Sequence, residues 1–393
     1  MKMRTFPVFM AFLAMGFADA VGPFVGLAKN EFHLSNAAAS LTPFVGLGMF
    51  GLLSVPAGVF QSRHGKKLVL ILGLSVALSG VLIASLGLSS FPLFLITIVL
   101  LGAGAAVLQV AGNPLMRDAS AKGKFARNLS LAQFVKAIGS LSGPLLPVIA
   151  ARYFGASWKV IFPIYSVALI VTLVAAGTLK VPASQDDGTT AATLRSCLSL
   201  VRNPFILAMT GVIFLYVGAE VSVSAGIPLF LKERFGLEIS RVGLLGTGLF
   251  FMALTIGRFC GGLILNWVKP APFLVATCVI SLAGLGAIFV PVAGVAAVGF
   301  FLTGLGFANI FPLVFSTALE HMPERSNEIS GLLVTAIVGG AVLPLIMGVV
   351  ADHSSVRTSL CVPIAAILYV FVLSLVHLRA GSPDRRQTEA ATE

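Results

Sequence analysis

Long, unbroken runs of apolar residues alternate with short polar segments along the whole chain. Each run approaches or exceeds the ~20 residues that a helix needs to cross the hydrocarbon core of a bilayer. A membrane β-barrel would instead show alternating polar and apolar positions in segments of about ten residues. The pattern therefore predicts an all-α polytopic membrane protein with 12 transmembrane helices, over residues 5–28, 38–60, 67–88, 91–115, 128–151, 159–179, 204–231, 241–266, 271–291, 293–318, 328–351 and 357–378.

The composition excludes a soluble or a disordered protein. Of the 393 residues, 57% are hydrophobic and only 10% are charged, whereas a soluble domain carries about 25% charged residues. Disorder requires low hydrophobicity and high net charge. The first residues resemble a signal peptide, but they lack a small-residue cleavage site and Asp19 interrupts them, so we interpret them as the first membrane helix. No paired spacing that would indicate disulfides or a metal site occurs among Cys197, Cys260, Cys278 and Cys361.

The longest polar stretch, residues 181–196, lies at the middle of the chain and is typical of a flexible linker. It predicts two six-helix bundles, residues 1–180 and 204–380, joined by a cytoplasmic linker over 181–203 and followed by a disordered cytoplasmic tail at 381–393.

The distribution of Lys and Arg predicts the orientation. With the N-terminus in the cytoplasm, 17 of the 26 basic residues fall on the inner side and 7 on the outer side, which is the bias of membrane proteins toward cytoplasmic positive charge. Both termini are then cytoplasmic. The net charge of +11 is explained without a nucleic-acid partner.

Three pairs of similar segments indicate an internal repeat. Residues 12–19 resemble 214–220, residues 135–147 resemble 334–344, and residues 102–114 resemble 304–312. The offsets all lie between 196 and 201 residues, so we infer that a six-helix unit was duplicated. Two such halves related by an axis along the membrane normal are the architecture of major facilitator transporters, whose substrate site lies between the halves near the midplane.

Several motifs point to a family. The loop GVFQSRHGKK (58–67) resembles the major facilitator signature between helices 2 and 3, with Ser62 where Asp is usual. More specifically, the chain resembles the fucose–galactose–glucose symporter family in LQVAGNP (108–114), NLSLAQ (128–133), FLYVGAE (214–220), NIFPLVFSTALE (309–320) and SGLLVTAIVGGAVLPLIMG (330–348). The resemblance implies the major facilitator fold and sugar transport.

The chain also departs from that family. Gln109 stands where proton-coupled fucose carriers have Glu, Lys136 stands where relatives usually have Asn, and Asp19 lies several residues before the helix 1 Asp of fucose carriers. The proton site of those carriers and a standard neutral-sugar site are therefore both in question.

Ionisable residues within membrane helices usually face a water-filled cavity or a partner. The candidates are Asp19, Lys136, Glu220 and Arg258. Glu220 is our main candidate for coupling to a proton or Na⁺, with Asp19 at a similar depth in the equivalent helix. The alternatives are that Glu220 completes a polar network and that Asp19 satisfies backbone groups of a bent helix.

Lys136 has three interpretations. It forms a salt bridge with Asp19 or Glu220, it contacts an anionic substrate such as a sugar acid, or it takes the place of a coupling cation and makes transport proton-driven or passive.

Neutral polar and aromatic residues complete the predicted substrate site. Amide side chains both donate and accept hydrogen bonds, so the expected sugar ligands are Gln109, Asn113, Gln133, Asn309 and Thr335. Phe17, Phe214, Tyr216 and Phe311 are the candidates for stacking on a sugar ring. The alternatives are contacts between helices for the polar residues and lipid-facing or core positions for the aromatic ones.

Basic residues near the cytoplasmic side are expected to act in gating. Arg258 is predicted to lie toward the inner end of helix 8 and to pair with cytoplasmic acids or helix C-terminal carbonyls. Arg63, Lys66 and Lys67 are gate or topology residues.

The leading hypothesis is a secondary active transporter of a bacterial inner membrane that takes up a sugar or sugar derivative, neutral or anionic, by ion-coupled alternating access. An exporter or facilitator of another small polar or amphipathic molecule is the alternative. No HExxH, nucleophile elbow or nucleotide motif occurs, so an enzyme is not expected. We expect no cofactor other than a coupling proton or Na⁺, the bilayer and a small molecule as partners, and a monomer.

Overall fold

A computed structural model describes residues 6–19, 24, 27–28, 31–34, 36–179, 193–236 and 239–380. Within those ranges the chain is helical and contains no β-strand. Its main helices are α1 (Phe6–Asp19), α2 (Asn36–His64), α3 (Lys66–Leu86), α4 (Phe91–Ala119), α5 (Phe125–Phe154), α6 (Ile161–Gly177), α7 (Pro204–Phe235), α8 (Ile239–Ile264), α9 (Pro270–Ile288), α10 (Ala293–Phe307 and Ile310–His321), α11 (Ser326–Thr335 and Gly339–His353) and α12 (Cys361–Ala380).

The helices confirm the predicted all-α membrane fold. Eleven of them, α2 to α12, are long and apolar enough to cross a bilayer, and α1 is a shorter apolar helix within the described residues. Large apolar side chains such as Phe44, Leu52 and Val174 are exposed on the outside of the bundle, which is the surface expected to face lipid. The protein is therefore a multi-pass membrane protein.

The two halves repeat the same helix contacts. In the first half, α1 packs on α5 where Gly16 meets Gly139, and a Cβ atom on Gly16 would lie 2.8 Å from the Gly139 Cα. In the second half, α7 packs on α11 where Gly339 meets the backbone of Phe214. Small residues allow this close backbone approach between membrane helices. The six-helix halves are thus built alike.

Burial divides the helices into central and peripheral ones. In α10, 78% of the most apolar stretch is buried inside the protein, against 39% in α12 and in α6. The corresponding stretch of α4 is 56% buried, so the fourth helix of each half is more buried than α6 or α12. The central helices are therefore the ones that can line an internal site.

The end of the predicted linker is helical, which its polar composition did not indicate. Leu194–Ser199 forms a short helix, here called the linker helix, that begins with a capping box at Thr193. The Ser196 hydroxyl donates to Glu328, which also accepts from Arg325 Nε at 2.6 Å. Burial raises the pKa of the Cys197 thiol to about 11, so this side chain serves as a packing group. Residues 181–192 and the predicted tail at 381–393 lie outside the described residues.

The two halves meet at the end of the bundle that carries the linker helix and the α2–α3 turn, here called the linker end. All hydrogen bonds that the described residues make between the halves lie there. They run from Gln61 Nε2 to Asn327 Oδ1 (2.9 Å), from Ser330 Oγ to the Val110 carbonyl (2.8 Å), from Arg117 to the Pro323 carbonyl (3.1 Å) and from Arg127 to Asn266 Oδ1 (3.1 Å).

Sequence explains two features of this closure. Pro114 has no N–H to donate to the carbonyl four residues before it, so the Val110 carbonyl is free to accept from Ser330. Gly58 and Gly331 bring α2 and α11 together, because a Cβ atom on Gly58 would lie 3.2 Å from the Gly331 Cα. The linker end is closed by tight packing and by specific hydrogen bonds.

We predict that Gly331→Leu opens the linker end. The added side chain has no space against Gly58 and the Ser54 carbonyl, and overpacking of this kind costs about 1–3 kcal/mol in the closed state alone. The measurement is the distance between spin labels at positions 63 and 269, which are exposed residues of the two halves at this end, after replacement of the native cysteines. The distance is expected to lengthen.

Gly348→Leu is the matched control on the same helix, because a Cβ atom there meets nothing within 4 Å. It should leave the distance distribution unchanged. Identical distributions for the wild type and Gly331→Leu would contradict the assigned role of the Gly58–Gly331 contact.

Candidate functional site

A cavity of about 260 Å³ lies between the two halves. Its wall comes from α1, α2, α4 and α5 of the first half and from α7, α8, α10 and the middle of α11 (Ile337) in the second. The volume lies near the lower end of the range for small-molecule sites. Eight of the residues proposed from sequence line this cavity: Asp19, Gln109, Gln133, Lys136, Tyr216, Glu220, Arg258 and Phe311.

The first half contributes a tight ion pair. Lys136 Nζ lies 3.0 Å from Asp19 Oδ2 and donates to Gln109 Oε1 at 3.2 Å. Ser140, one turn further along α5, donates to the same carboxylate oxygen at 3.2 Å. The close approach of α1 to α5 at Gly16 brings these groups together. Of the three interpretations of Lys136, the structure contains the contact with Asp19.

The second half contributes a looser ion pair. Tyr216, one turn before Glu220 on α7, donates its hydroxyl to Glu220 Oε2. Arg258 on α8 points at the other carboxylate oxygen, with 3.8 Å between NH2 and Oε1. The predicted placement of Arg258 beside cytoplasmic acids is wrong. Counting residues along α8 predicted a position toward the inner end of the helix, but it did not reveal that the side chain turns toward Glu220 on α7.

The charges of the described cavity wall balance. Two carboxylates, Asp19 and Glu220, face two cations, Lys136 and Arg258. Burying an unpaired charge costs far more than burying a pair. Each half pairs its own carboxylate with its own cation. The charged groups of the cavity wall therefore sum to zero net charge.

Neutral groups fill the wall between the charges. Gln109 and Gln133 present amides, and the Gln133 Nε2 atom is buried without a hydrogen-bond partner. Hydroxyls come from Ser140 and Thr255. Aromatic faces come from Phe50, Phe251 and Phe311, of which sequence analysis proposed Phe311.

Five residues proposed to bind or stack on the substrate do not line the cavity: Phe17, Asn113, Phe214, Asn309 and Thr335. Phe17 stacks on Tyr165 with 4.0 Å between the ring centroids. Asn309 donates to the Gly257 carbonyl at 2.7 Å and so joins α10 to α8, and Thr335 donates to a carbonyl of its own helix. Asn113 is fully buried one turn below Gln109. For Asn309 the contact between helices, weighed as the alternative, is what the structure contains.

The basic residues expected at the gate act within the first half. Lys66 Nζ contacts Asp118 Oδ2 at 2.5 Å, and Lys67 Nζ donates to the Gly177 carbonyl at 2.7 Å. Arg63 is exposed at the end of α2. The contacts between the halves use Gln61, Ser330 and the two arginines named above, which sequence analysis did not single out as gate residues.

Sequence analysis missed the cavity residues whose types are common throughout the chain. Ser140, Thr255 and Phe251 are indistinguishable by composition from the many other Ser, Thr and Phe residues of the chain. The signal that was available is spacing, since Ser140 and Thr255 lie within one turn of the ionisable residues Lys136 and Arg258. Neighbours at that spacing share a helix face.

This arrangement defines a class of protein. Two repeated helical halves enclose a polar cavity that carries paired charges. The packing and hydrogen bonds described above close the halves against each other at the linker end. That is the construction of a transporter that works by alternating access. Among the described residues, no group of three or more His, Cys, Asp or Glu side chains is placed to hold a metal ion.

Comparison with known proteins identifies the family. The profile of the Major Facilitator Superfamily matches residues 8–337, and the chain belongs to this superfamily. The "Glucose/galactose transporter" of Brucella abortus biovar 1 (strain 9-941) is 28% identical over 360 residues, covering 88% of this chain and 87% of that protein. The "L-fucose-proton symporter" of Escherichia coli (strain K12) is 24% identical over 386 residues, covering 88% and 86%.

Solved structures share the fold. The crystal structure of the transporter FucP in the outward conformation superposes with a TM-score of 0.80 at 20% identity, covering 94% of this chain and 98% of that one. The proton:xylose symporter XylE bound to 6-bromo-6-deoxy-D-glucose gives a TM-score of 0.72 at 16% identity, covering 94% of both chains. The predicted twelve-helix major facilitator fold is confirmed.

Proposed function

We propose that the protein is a secondary active transporter that takes up a neutral sugar together with a proton by alternating access. The observation that carries the proposal is the cavity between the halves, with its amides, hydroxyls, aromatic faces and balanced charges. The curated relatives named as glucose/galactose and fucose transporters support a sugar as the substrate. Amide and hydroxyl groups suit the many donors and acceptors of a sugar.

A neutral sugar is favoured over a sugar acid because both cavity cations already face carboxylates. Lys136 contacts Asp19 at 3.0 Å and Gln109 at 3.2 Å, so an incoming carboxylate would have to displace a resident one. The same reasoning favours the salt-bridge interpretation of Lys136 over its proposed role as an anion ligand.

A proton is favoured over Na⁺ as the coupling ion. Each cavity carboxylate has a fixed cation next to it, and a metal ion placed there would meet electrostatic repulsion at close range. A proton needs no coordination shell and neutralises the carboxylate in place. Glu220 is the proposed carrier, because its pair with Arg258 is the looser of the two. Protonation would then change the relative free energies of the two access states.

We further propose the orientation and location. The linker end carries the basic α2–α3 and α4–α5 turns and is assigned to the cytoplasm, which places both termini there. The closed linker end then corresponds to an outward-facing state, as in the FucP structure. We propose that the protein works as a monomer in a bacterial inner membrane, as a transporter and not as an enzyme.

The substrate is tested in proteoliposomes containing the purified protein. With an inward proton gradient, we expect accumulation of a neutral hexose, with D-glucose, D-galactose and L-fucose as the first probes. The matching sugar acids, D-glucuronate and D-galacturonate, should neither accumulate nor compete. Uptake of a uronate in preference to its parent sugar would contradict the assignment of a neutral substrate.

Coupling is tested with Glu220→Gln. The amide keeps an acceptor oxygen but cannot carry a proton, so we expect uphill accumulation to be lost while exchange of labelled for unlabelled sugar continues. Glu233→Gln is the matched control, because Glu233 is an exposed acid on the same helix. Accumulation that survives in Glu220→Gln, or that follows a Na⁺ gradient in the wild type, would refute this proposal.

A further inference from the structure

Arg258 is a buried cation whose hydrogen-bonding groups are incompletely used. Its side chain is 9% exposed, and its Nε atom has no hydrogen-bond partner. The distance of 3.8 Å from NH2 to Glu220 Oε1 is too long for a hydrogen bond. Buried polar groups are nearly always hydrogen-bonded, and an exception calls for an explanation such as a missing ligand or water.

The partner of Arg258 is held in a fixed position. Tyr216 is itself buried and donates to Oε2 of Glu220. Glu220 Oε1 is therefore the oxygen left to accept a further hydrogen bond. Glu220 and Arg258 both line the cavity wall, so a ligand in the cavity can reach this pair.

The first half offers a contrast. Lys136 lies within hydrogen-bonding distance of both Asp19 and Gln109, and Ser140 supports the same carboxylate. That pair is closed without a ligand. The pair of the second half is open by comparison, although it occupies the same cavity.

The chemistry of the open pair selects its ligand. A group between Arg258 and Glu220 must accept a hydrogen bond from the guanidinium and donate one to the carboxylate. A hydroxyl does both. A ligand carboxylate would be repelled by Glu220, and a ligand ammonium would be repelled by Arg258.

We propose that Glu220 and Arg258 form a hydroxyl-binding subsite, in which one sugar hydroxyl accepts from Arg258 and hydrogen-bonds Glu220 Oε1, donating to it while Glu220 is ionised and accepting from it once Glu220 carries the proton. Arg258 is thereby a specificity-determining residue of the second half. The inference rests on the proposed sugar transport and names the contact by which that half recognises the substrate. A site built to hydrogen-bond a hydroxyl strongly rejects the analogue that lacks it.

The test is binding of monodeoxy sugars to the purified full-length protein, measured by calorimetry. The parent is whichever of D-glucose, D-galactose and L-fucose binds tightest, and the probes are its analogues lacking one hydroxyl each. For one position, we expect the wild type to lose roughly 10- to 100-fold in affinity, the size of a hydrogen bond to a charged group. In Arg258→Gln the same analogue and the parent should bind within about 3-fold of each other.

Lys136→Gln is the matched control, because it removes the cavity cation of the other half. It should preserve the discrimination at the position that Arg258→Gln abolishes. Should Arg258→Gln fail to fold, Arg258→Lys carries the test, since it keeps the charge and loses the forked donor, and it should reduce the discrimination in part.

The outcomes separate the two proposals. Binding of neutral sugars with discrimination unchanged in Arg258→Gln and Arg258→Lys would overturn the subsite and leave the transport proposal standing. Equal weakening of the parent and every analogue in these variants would also overturn it, because it would reduce Arg258 to a structural ion-pair partner. Failure of the wild type to bind any of the neutral sugars would overturn both proposals.

Discussion

An ionisable side chain within a membrane helix must find a partner or water, and this requirement organises the interior of the protein. Four such residues lie at depth, and they form two pairs of opposite charge, Asp19 with Lys136 and Glu220 with Arg258. Each pair joins two helices of a single half. Because each half satisfies its own charges, the halves share no ion pair among the described residues and are free to move against each other.

The closure of the linker end follows a different principle. There the halves are held by packing at Gly58 and Gly331 and by a few hydrogen bonds, such as that from Ser330 to the Val110 carbonyl. Contacts of this kind are short-ranged and can be lost together when the halves rock. Alternating access needs strong charge pairing inside each half and weaker contacts between the halves. Each bundle then keeps its shape while the linker end opens and closes.

The sequence was sufficient for the fold because the signals for the fold are long and redundant. Runs of apolar residues, the polar stretch at the middle of the chain and the repeated segments together predicted two six-helix halves. The ionisable residues at depth were predicted because charges are rare in apolar helices. All four of the ionisable residues proposed for that reason line the cavity.

The faces of the helices were harder to predict. Asn113 and Asn309 match in the repeat, yet neither lines the cavity: Asn309 joins α10 to α8 through the Gly257 carbonyl, and Asn113 is buried. Arg258 was assigned to the gate from its position along the helix, because the sequence does not reveal its contact with Glu220 on the neighbouring helix. Phe17 was one of 30 phenylalanines, and only the structure reveals its stacking on Tyr165. Rotation about the helix axis is set by packing against neighbours, and a single sequence does not contain it.

The pairing of charges within each half is tested most directly by a double-mutant cycle on Asp19 and Lys136. The free energy of unfolding is measured in mixed micelles for the wild type, Asp19→Asn, Lys136→Gln and the double variant. Because the Asp19 side chain is 36% exposed, we predict a coupling energy of about 1–2 kcal/mol, within the range for contacting residues. The loss of free energy of unfolding in the double variant should then be smaller than the sum of the losses in the two single variants. Additive losses would contradict the account.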